Sequence, residues 1–211
     1  MFQIKEKIVA NRKFVKKIKA TLLNFGYNTE HLIRHVVRVE CKNLINNKLP
    51  KNMSILEISE SEYWKSNLTY KKYKGANYPD FDICDNYLDE KFDLIIADNV
   101  WEHLKYPYKG SRNIQKMLKD NGYFLVIVPF LVRIHEVPID CTRWTEDGLR
   151  YHLEETGFDI NNIETGSWGN KSCVISNLKT NDSWTRVGFY SNLKNEKNFP
   201  VQIWALAKYN I

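Results

Sequence analysis

One stretch in the second half of the sequence, "RIHEVPIDCTRW", places an imidazole, a carboxylate and a guanidinium close together. His135 is the strongest candidate for a general base, because imidazole titrates near neutral pH. Asp140 could orient that base or be the base itself, and Arg143 could hold a phosphate or carboxylate of a substrate. The group would suit removal of a proton from a hydroxyl or an amine. Alternatively, Asp140 and Arg143 form a structural ion pair that leads into a helix.

A second set of polar residues follows apolar runs that read as buried strands. "SILEISESEY" holds Glu57 and turns polar at Ser59, Asp82 lies in "DFDICD", and Asp98 closes "FDLIIAD". In open α/β sheets, ligands bind outside the carboxyl ends of the strands, often beside a glycine-rich loop. The first of these loops has no glycine. Because they lie at or near strand ends, Glu57 and Asp82 could be ligand contacts, or they could simply cap turns.

The elements that must position these residues are strands that alternate with helices, which favours a mostly parallel sheet. Apolar runs predict strands at 53–59, 68–74, 92–98 and 122–130. The last two are continuously apolar, as expected for strands covered on both faces. Near the end of the chain, "DINNIETGSWG" and "PVQIWALAKY" predict a closing antiparallel pair at the edge of the sheet.

Helices are predicted before the first strand and between the later elements. At the front, "KFVKKIKATLLNFG" has helical periodicity, and a second helix begins with Thr29 as its N-cap. The apolar stripe of that second helix is predicted to be Leu32, Val36, Val39 and Leu44. A helix over 108–122 is predicted to bury Ile114, Met117 and Leu118 and to stop at Asn121 and Gly122. A last helix over 142–158 is predicted to start at the cap Thr145, to bury Leu149 and Leu153, and to end at Gly157.

Composition and charge are those of a folded protein with a basic front end. The chain has 211 residues, of which 43% are hydrophobic and 13% aromatic. Residues 1–50 carry 11 Lys and Arg against 3 acidic residues, while the remainder carries 20 against 22. That front end could attract nucleic acid, an anionic membrane or an acidic partner, or could be a solvated helix face. We divide the chain into a helical extension, 1–52, and an α/β domain, 53–211.

The cysteines and the apolar runs indicate in which cellular compartment the protein lies. The four cysteines show no C-x-x-C spacing, which predicts a reducing cytoplasmic setting with no zinc site or disulfide framework. No apolar run is long enough for a signal peptide or a membrane span, so we expect no membrane insertion.

Four landmarks occur in order: "ILEIS", "FDLIIADNVWEHL", "MLKDNGYFLVIVPF" and "RWTEDGLRYHLEETGF". Together, over about residues 53–160, they resemble class I S-adenosylmethionine-dependent methyltransferases of the methyltransferase type 11 group, with a glycine-free first motif. The resemblance implies an α/β fold with a Rossmann-like, seven-stranded, mostly parallel sheet, helices on both faces and the N-terminal helical extension. It also implies an enzyme that uses S-adenosylmethionine.

The resemblance further implies which residues face the cofactor. Asp82 would meet the adenine end, with Ile83 beside the ring, and Asp98 would face the methionine part. The full set of implied cofactor contacts is Glu57, Ile58, Ser59, Ser61, Asp82, Ile83, Asp98 and Asn99. Methyl transfer from a sulfonium is a direct displacement, so alignment is the main task, and no metal is required.

On the acceptor side, His135 and Asp140 are predicted to be catalytic. The predicted substrate-binding residues are His103, Tyr106, Phe130, Arg143 and Trp144. His103 could instead fix the loop through the backbone, and the aromatic residues could be ordinary core. We expect the acceptor to be a hydroxyl or amine of a small molecule, with a sugar or glycan building block as the preferred class, as in polysaccharide biosynthesis. The alternatives are a nucleic-acid methyltransferase and a catalytically silent fold that binds a partner.

Overall fold

A computed structural model describes residues 32–136, 138–179 and 194–210. The predicted first helix, "KFVKKIKATLLNFG", and the predicted cap Thr29 lie outside the described residues. Short 3-10 turns occur at Trp101–His103 and Ile160–Asn162. The helices and strands follow in the order α1 (Leu32–Lys48), β1 (Ser54–Ile58), α2 (Glu62–Asn67), β2 (Lys72–Ala76), β3 (Phe92–Asp98), α3 (Pro107–Met117), β4 (Leu118–Pro129), α4 (Glu146–Thr156), β5 (Ile163–Trp168), α5 (Lys171–Lys179) and β6 (Gln202–Lys208).

The strands form one mixed sheet in the order β2-β1-β3-β4-β6-β5. The first four strands in this order are parallel, and β6 runs antiparallel to both β4 and β5. The predicted Rossmann-like architecture and the predicted closing antiparallel pair are therefore confirmed. The expected strand number is corrected, because the described residues form six strands rather than seven.

The connection between β2 and β3, residues 77–91, contains turns where a further strand could have lain. The carboxylate of Asp82 accepts a hydrogen bond from the backbone N–H of Cys84 at 2.9 Å, and its carbonyl accepts from Asp85 and Asn86. Asp and Asn side chains compete in this way with strand pairing, and Pro79 has no N–H to donate to a ladder. The polar composition of this segment thus favours turns.

Helices cover both faces of the sheet, and each face has its own core. One core joins Leu56 and Val126 of the sheet to Ile114 of α3 and Leu149 of α4. The other joins α1, α2 and α5 to the opposite face, where Trp64 and Trp204 are buried. Because successive side chains of a strand point to opposite faces, fully apolar strands such as β3 supply both cores.

Helix α1 packs against the sheet through a stripe that lies one or two residues beyond the predicted one. The buried positions are Ile33, Val37, Cys41 and Ile45, spaced four apart. Val36 and Leu44 lie at the margin of the same core. The run "LIRHVVRVECKNLI" offers two adjacent apolar stripes, and packing selects the one that includes Cys41. The division of the chain at residue 52 stays a prediction, although α1 and β1 contribute to one core.

Two further boundaries are corrected. The second strand is Lys72–Ala76 instead of 68–74, because the short helix α2 extends to Asn67 and its C-cap Leu68 is buried. The helix predicted over 108–122 ends at Met117, and β4 begins at Leu118. Both ends of α4 are as predicted: Thr145 accepts a hydrogen bond from the N–H of Gly148 and Gly157 adopts φ 112°.

None of the helices in the described residues has the length and apolar content that crossing a bilayer requires.

Candidate functional site

A cavity of about 780 Å³ opens at the edge of the sheet where β1, β2 and β3 end. This is the edge at which open α/β sheets bind ligands, and the volume is within the range of small-molecule sites. Its walls come from the first residues after β1 and β3, from the connection 78–85, and from the segments 99–106 and 138–139. The lining residues are Ile58, Ser59, Ala76, Tyr78, Phe81, Asp82, Ile83, Cys84, Asp85, Asn99, Val100, His103, Leu104, Lys105, Tyr106, Pro138 and Ile139.

Glu57 lies near the end of β1, next to the cavity-lining residue Ile58. Its side chain is fully buried, Oε1 accepts a hydrogen bond from the hydroxyl of Ser61 at 2.8 Å, and Oε2 accepts one from the hydroxyl of Tyr73. Burial raises the pKa of Glu57, and the two hydroxyl donors oppose that rise. Neither Glu57 nor Ser61 lines the cavity. Together they tie the loop after β1 to strand β2.

The loop after β1 adopts a glycine-like backbone without a glycine. Ser59 has φ 65°, the left-handed conformation, and its N–H donates to the carbonyl of Ala76 at 2.9 Å. L-residues other than glycine are held in this conformation only at a cost of about 1–2 kcal/mol. The turn that a glycine would make is therefore present, and the side chain of Ser59 stands at the cavity wall.

The two acidic residues of this loop are directed away from the cavity. The carboxylate of Glu60 pairs with Lys65 at 2.8 Å, and its side chain lies over Gly75, where a Cβ would collide with it. Glu62 accepts a hydrogen bond from the hydroxyl of Ser66. The backbone N–H of Glu60 donates to Asn77 at 2.7 Å, which fastens the loop to the end of β2. Neither carboxylate lines the cavity, so neither opposes an anionic group there.

The connection 78–85 forms the opposite wall. Asp82 caps the turn at Cys84 and also lines the cavity, and its expected contact with the cofactor stays a prediction. Ile83 is only 3% exposed and faces the cavity as well. Its carbonyl accepts a hydrogen bond from the side chain of Asn113 at 2.9 Å, which anchors this wall to α3.

At the end of β3, the side-chain amide of Asn99 donates to Oδ1 of Asp98 at 2.6 Å, and the two residues differ in their other contacts. One carboxylate oxygen of Asp98 accepts from Arg38 at 2.7 Å and from the indole of Trp64 at 2.9 Å, so this side chain joins β3 to α1 and α2. Asn99 has φ 57° and lines the cavity. Its amide oxygen accepts from Gln202 at 3.1 Å. Of the two, Asn99 is the one placed at the cavity.

The 3-10 turn after β3 places Glu102 and His103 side by side. Nδ1 of His103 lies 2.5 Å from the carbonyl oxygen of Ile139, so this ring fixes the loop as well as lining the cavity. The side chain of Glu102 is fully buried, and burial raises its pKa to about 8. In the part of the chain that the structure describes, neither carboxylate oxygen of Glu102 has a hydrogen-bond partner.

His135, Asp140 and Arg143 form a compact group behind His103. Asp140 and Arg143 make a forked ion pair, and Oδ2 of Asp140 lies 3.3 Å from Nδ1 of His135. Burial would raise the pKa of Asp140, but hydrogen bonds from Arg143 and from the backbone of His135 lower it overall. Burial lowers the pKa of His135, against the pull of Asp140. The ring of His135 lies 5.2 Å from that of His103, between ring centres.

The three predicted aromatic residues are separated. Tyr106 is 57% exposed and lines the cavity, and Lys109 stacks on its ring. Phe130 and Trp144 are partly buried against the core of the α3 and α4 face, and Trp144 lies 5.5 Å from the ring of His152. Phe130 and Trp144 therefore contribute to core packing in this structure.

Residues 3–162 match the family described as the methyltransferase domain. The chain belongs to this family. Among solved structures, a chain in the complex between the Haloferax volcanii Trm112 methyltransferase activator and a methyltransferase is 14% identical, with a TM-score of 0.55 over 81% of this chain and 89% of that one. An S-adenosylmethionine-dependent methyltransferase from Clostridium acetobutylicum is 12% identical, with a TM-score of 0.51 over 96% and 100%.

A third structure, Haemonchus contortus phosphoethanolamine N-methyltransferase 2 in complex with S-adenosyl-L-methionine, is 11% identical, with a TM-score of 0.51 over 82% of this chain and 53% of that one. No curated protein matches the chain. At these identities, the structures establish a shared fold. With the family match, they confirm the predicted class, an S-adenosylmethionine-dependent methyltransferase.

The methyltransferase cavity brings together about half of the residues predicted from the sequence. Those that line it are Ile58, Ser59, Asp82, Ile83, Asn99, His103 and Tyr106. Those outside the lining are Glu57, Ser61, Asp98, Phe130, His135, Asp140, Arg143 and Trp144. Their roles stay predictions.

Sequence reasoning missed several lining residues. Tyr78 and Phe81 belong to the aromatic and polar stretch "GANYPDFDICD" that follows β2, so their aromatic character was a usable signal. Pro138 and Ile139 gave no such signal in the sequence, because only the fold brings 138–139 beside His103. Glu102 lies in the landmark "FDLIIADNVWEHL", and nothing in the sequence indicates that its side chain is buried.

Proposed function

We propose that this methyltransferase transfers the methyl group of S-adenosylmethionine to a hydroxyl or amine of a small molecule, with a sugar or glycan building block as the acceptor class. The observation that supports it is the cavity, which joins the loop ends of β1 and β3 to Asp82 and His103. S-adenosylmethionine supplies a methyl group bound to a positively charged sulfur. The enzyme must hold that group in line with the acceptor and remove a proton where the acceptor carries one.

The residues at the strand ends fit the cofactor. Ser59 and Asn99 both have positive φ, so the loops bend as a glycine-containing loop would and leave space above the strand ends. Asp82 offers a carboxylate for a hydroxyl or amine donor of the adenosine, and Ile83 offers an apolar contact for the ring. Glu57 would act indirectly, since its hydrogen bonds with Ser61 and Tyr73 hold the first loop in place.

On the acceptor side, His135 is the proposed base. Its lowered pKa keeps the imidazole neutral at neutral pH, so it can accept a proton. Asp140 lies at 3.3 Å from Nδ1 and orients the ring, while Arg143 holds Asp140 through the forked pair. His103, between this group and the cavity, is the proposed acceptor contact.

The proposed acceptor class rests on the lining of the outer part of the cavity. Tyr78 and Tyr106 are 75% and 57% exposed, and Lys105 and Asp85 lie near them at the same opening. Aromatic faces beside polar side chains suit sugars. The four cysteines are unpaired, which supports the proposed cytoplasmic setting.

Calorimetric titration with S-adenosylmethionine and S-adenosylhomocysteine tests the cofactor site. Asp82→Asn keeps an oxygen that can cap Cys84 but removes the charge, and we expect the Kd for both ligands to rise about tenfold, since a hydrogen bond to a charged group contributes roughly 1.5–3 kcal/mol. Asp80→Asn is the matched control, because Asp80 is exposed and lies outside the lining. Absence of binding by the unaltered protein at millimolar ligand would contradict the proposal and favour a silent, partner-binding fold.

A panel of acceptors, with release of S-adenosylhomocysteine as the signal, tests the substrate class. We expect turnover with hydroxylated sugars or sugar nucleotides. Turnover confined to RNA or DNA, with binding that weakens steeply as salt rises, would instead support the nucleic-acid alternative and the basic front end as its contact surface.

A further inference from the structure

The buried carboxylate of Glu102 is the most unusual polar group in the described part of the chain. Its side chain has no exposed surface, and within the described residues neither oxygen receives a hydrogen bond. An unpartnered carboxylate in such a place costs several kcal/mol, so proteins normally pair it with a cation or a set of donors. Arg143 and Arg34 act on it only at longer range.

Two histidines face this carboxylate from different segments of the chain. Nε2 of His103 lies 3.6 Å from Oε1 of Glu102, and Nε2 of His135 lies 3.9 Å from the same oxygen. Both distances are too long for a hydrogen bond. They are close to the separation of about 3.4 Å between two ligand atoms on one metal ion with bonds of about 2.1 Å.

The contacts of Nδ1 in the two rings are compatible with a lone pair on each Nε2. Nδ1 of His103 donates to the carbonyl oxygen of Ile139, since a carbonyl can only accept. Nδ1 of His135 lies 3.3 Å from the carboxylate of Asp140 and also 3.3 Å from Nη2 of Arg143. In the tautomer that donates from Nδ1 to Asp140, Nε2 carries the lone pair, as in imidazoles that bind a metal through one nitrogen and a carboxylate through the other. Two nitrogen lone pairs and one carboxylate then face a common point.

We propose that Glu102, His103 and His135 bind one divalent transition-metal cation. Their ligand atoms lie within 4.8 Å of one another. Two imidazole nitrogens and one carboxylate oxygen form a donor set that suits cations such as Zn²⁺, Co²⁺, Fe²⁺ or Mn²⁺ and leaves positions open for oxygen ligands. The spacing 102, 103 and 135 has no metal-binding signature, which is why the sequence predicts no metal.

The meaning of this cation for catalysis rests on the proposed function. His103 lines the cavity, so a cation held by it would stand at the edge of the acceptor region. An acceptor hydroxyl bound to the cation would lose its proton more easily, because coordination lowers the pKa of a bound hydroxyl. His135 would then serve as a ligand instead of the proposed base, and the proton would pass to water in the open cavity.

Titration of chelator-treated, full-length protein with Co²⁺ tests the site directly, because coordinated Co²⁺ absorbs visible light. We expect one Co²⁺ per chain, displaced by Zn²⁺. Glu102→Gln and His135→Gln should each weaken Co²⁺ binding at least about tenfold, while His35→Gln, a histidine outside the cluster, should bind Co²⁺ as the unaltered protein does. Circular dichroism would confirm that each variant is folded.

Absence of a Co²⁺ spectrum with stoichiometric metal, or equal binding by Glu102→Gln, would overturn the proposal. In that case Arg143, whose Nη2 lies 3.3 Å from Nδ1 of His135, would donate to that ring, and Nε2–H would point at Glu102. Calorimetry with S-adenosylmethionine on metal-free protein separates the two claims. Cation binding without cofactor binding would leave the metal site standing and remove the methyltransferase proposal.

Discussion

Glu57 and Glu102 are both fully buried carboxylates at the ends of central strands, yet their surroundings differ. Glu57 receives hydrogen bonds from Ser61 and Tyr73, whereas Glu102 receives none in the described residues and faces His103 and His135. Burial raises the pKa of both groups. The difference indicates that Glu57 is satisfied by the fold itself and that Glu102 needs something the fold does not supply.

The comparison separates the proposed cofactor half of the site from the proposed acceptor half. On the cofactor half, polar side chains are mostly engaged in holding the loops, as with Asp98 and its donors Arg38 and Trp64. On the acceptor half, the histidines and Glu102 lie close without hydrogen bonds to one another. We therefore expect substitutions on the two halves to affect different measurements.

The largest effect should come from His135→Gln on the acceptor half. Whether His135 is a base or a metal ligand, its loss should lower kcat with an acceptor by about 100-fold or more. The Kd for S-adenosylmethionine should stay within about twofold, because His135 does not line the cavity. A rise in that Kd matching the fall in kcat would break the separation of the two halves. His35→Gln serves as the control.

On the cofactor half, Tyr73→Phe should act on stability. It removes one donor from buried Glu57, and a buried acceptor that loses its partner costs about 1–3 kcal/mol of unfolding free energy. Tyr70→Phe is the matched control, since Tyr70 packs against the same ring at 4.9 Å. Denaturant unfolding measures both. Equal losses in the two variants would mean that packing, and not the hydrogen bond to Glu57, is what Tyr73 provides.

His152 extends the comparison to a buried imidazole whose partner is a hydroxyl. Ser111 accepts from the indole of Trp101 at 3.0 Å and can donate to Nε2 of His152 at 2.9 Å. Burial lowers the pKa of His152 to about 4 from its ordinary 6.5. As pH falls, His152 is therefore protonated first in the unfolded chain. The free energy of unfolding should decrease as pH falls from about 6.5 to about 4.

We expect this loss to be on the order of 3 kcal/mol, because one pKa unit corresponds to about 1.4 kcal/mol. Unfolding at several pH values would show it, and His152→Leu should flatten the slope in that window, with a small remainder from His135. An unchanged slope in His152→Leu would show that His152 is not the group responsible.

The smallest effect concerns the turn that replaces glycine. Ser59→Gly relieves a left-handed serine and should raise the unfolding free energy by about 1 kcal/mol. Asn121→Gly is the control, because Asn121 has φ 63° far from the cavity and asparagine tolerates that conformation better. Only Ser59→Gly should alter the Kd for S-adenosylmethionine. A decrease in the unfolding free energy of Ser59→Gly would show that the hydroxyl of Ser59 stabilises the fold by more than its left-handed backbone destabilises it.

Much of the fold could be predicted because its signals are local. The apolar run of β3, the cap Thr145 and the stop at Gly157 each act within a few residues. The stripe of α1 was assigned one or two residues away from the buried one because two neighbouring apolar stripes were available. The strand number was wrong because turns at Asp82, formed by side-chain capping, replace a strand in 77–91.

The site was less predictable because it depends on contacts between distant segments. Asp98 was expected at the cofactor, but its ties to Arg38 and Trp64 depend on how α1 and α2 cover the sheet. Glu102 and His135 are 33 positions apart, and no spacing rule joins them. Their proximity arises only when the segment after β4 folds back over the 3-10 turn, where the N–H of Cys141 donates to the carbonyl of Glu102 at 2.7 Å.

The central claim is that the cavity at the ends of β1 and β3 holds the cofactor despite the glycine-free turn. A crystal structure of the protein grown with S-adenosylhomocysteine tests it most directly. We predict the adenine beside Ile83, a hydrogen bond to Asp82, and the amino-acid part between Ser59 and Asn99. Density for the ligand elsewhere, or none at a concentration that saturates related enzymes, would contradict the account.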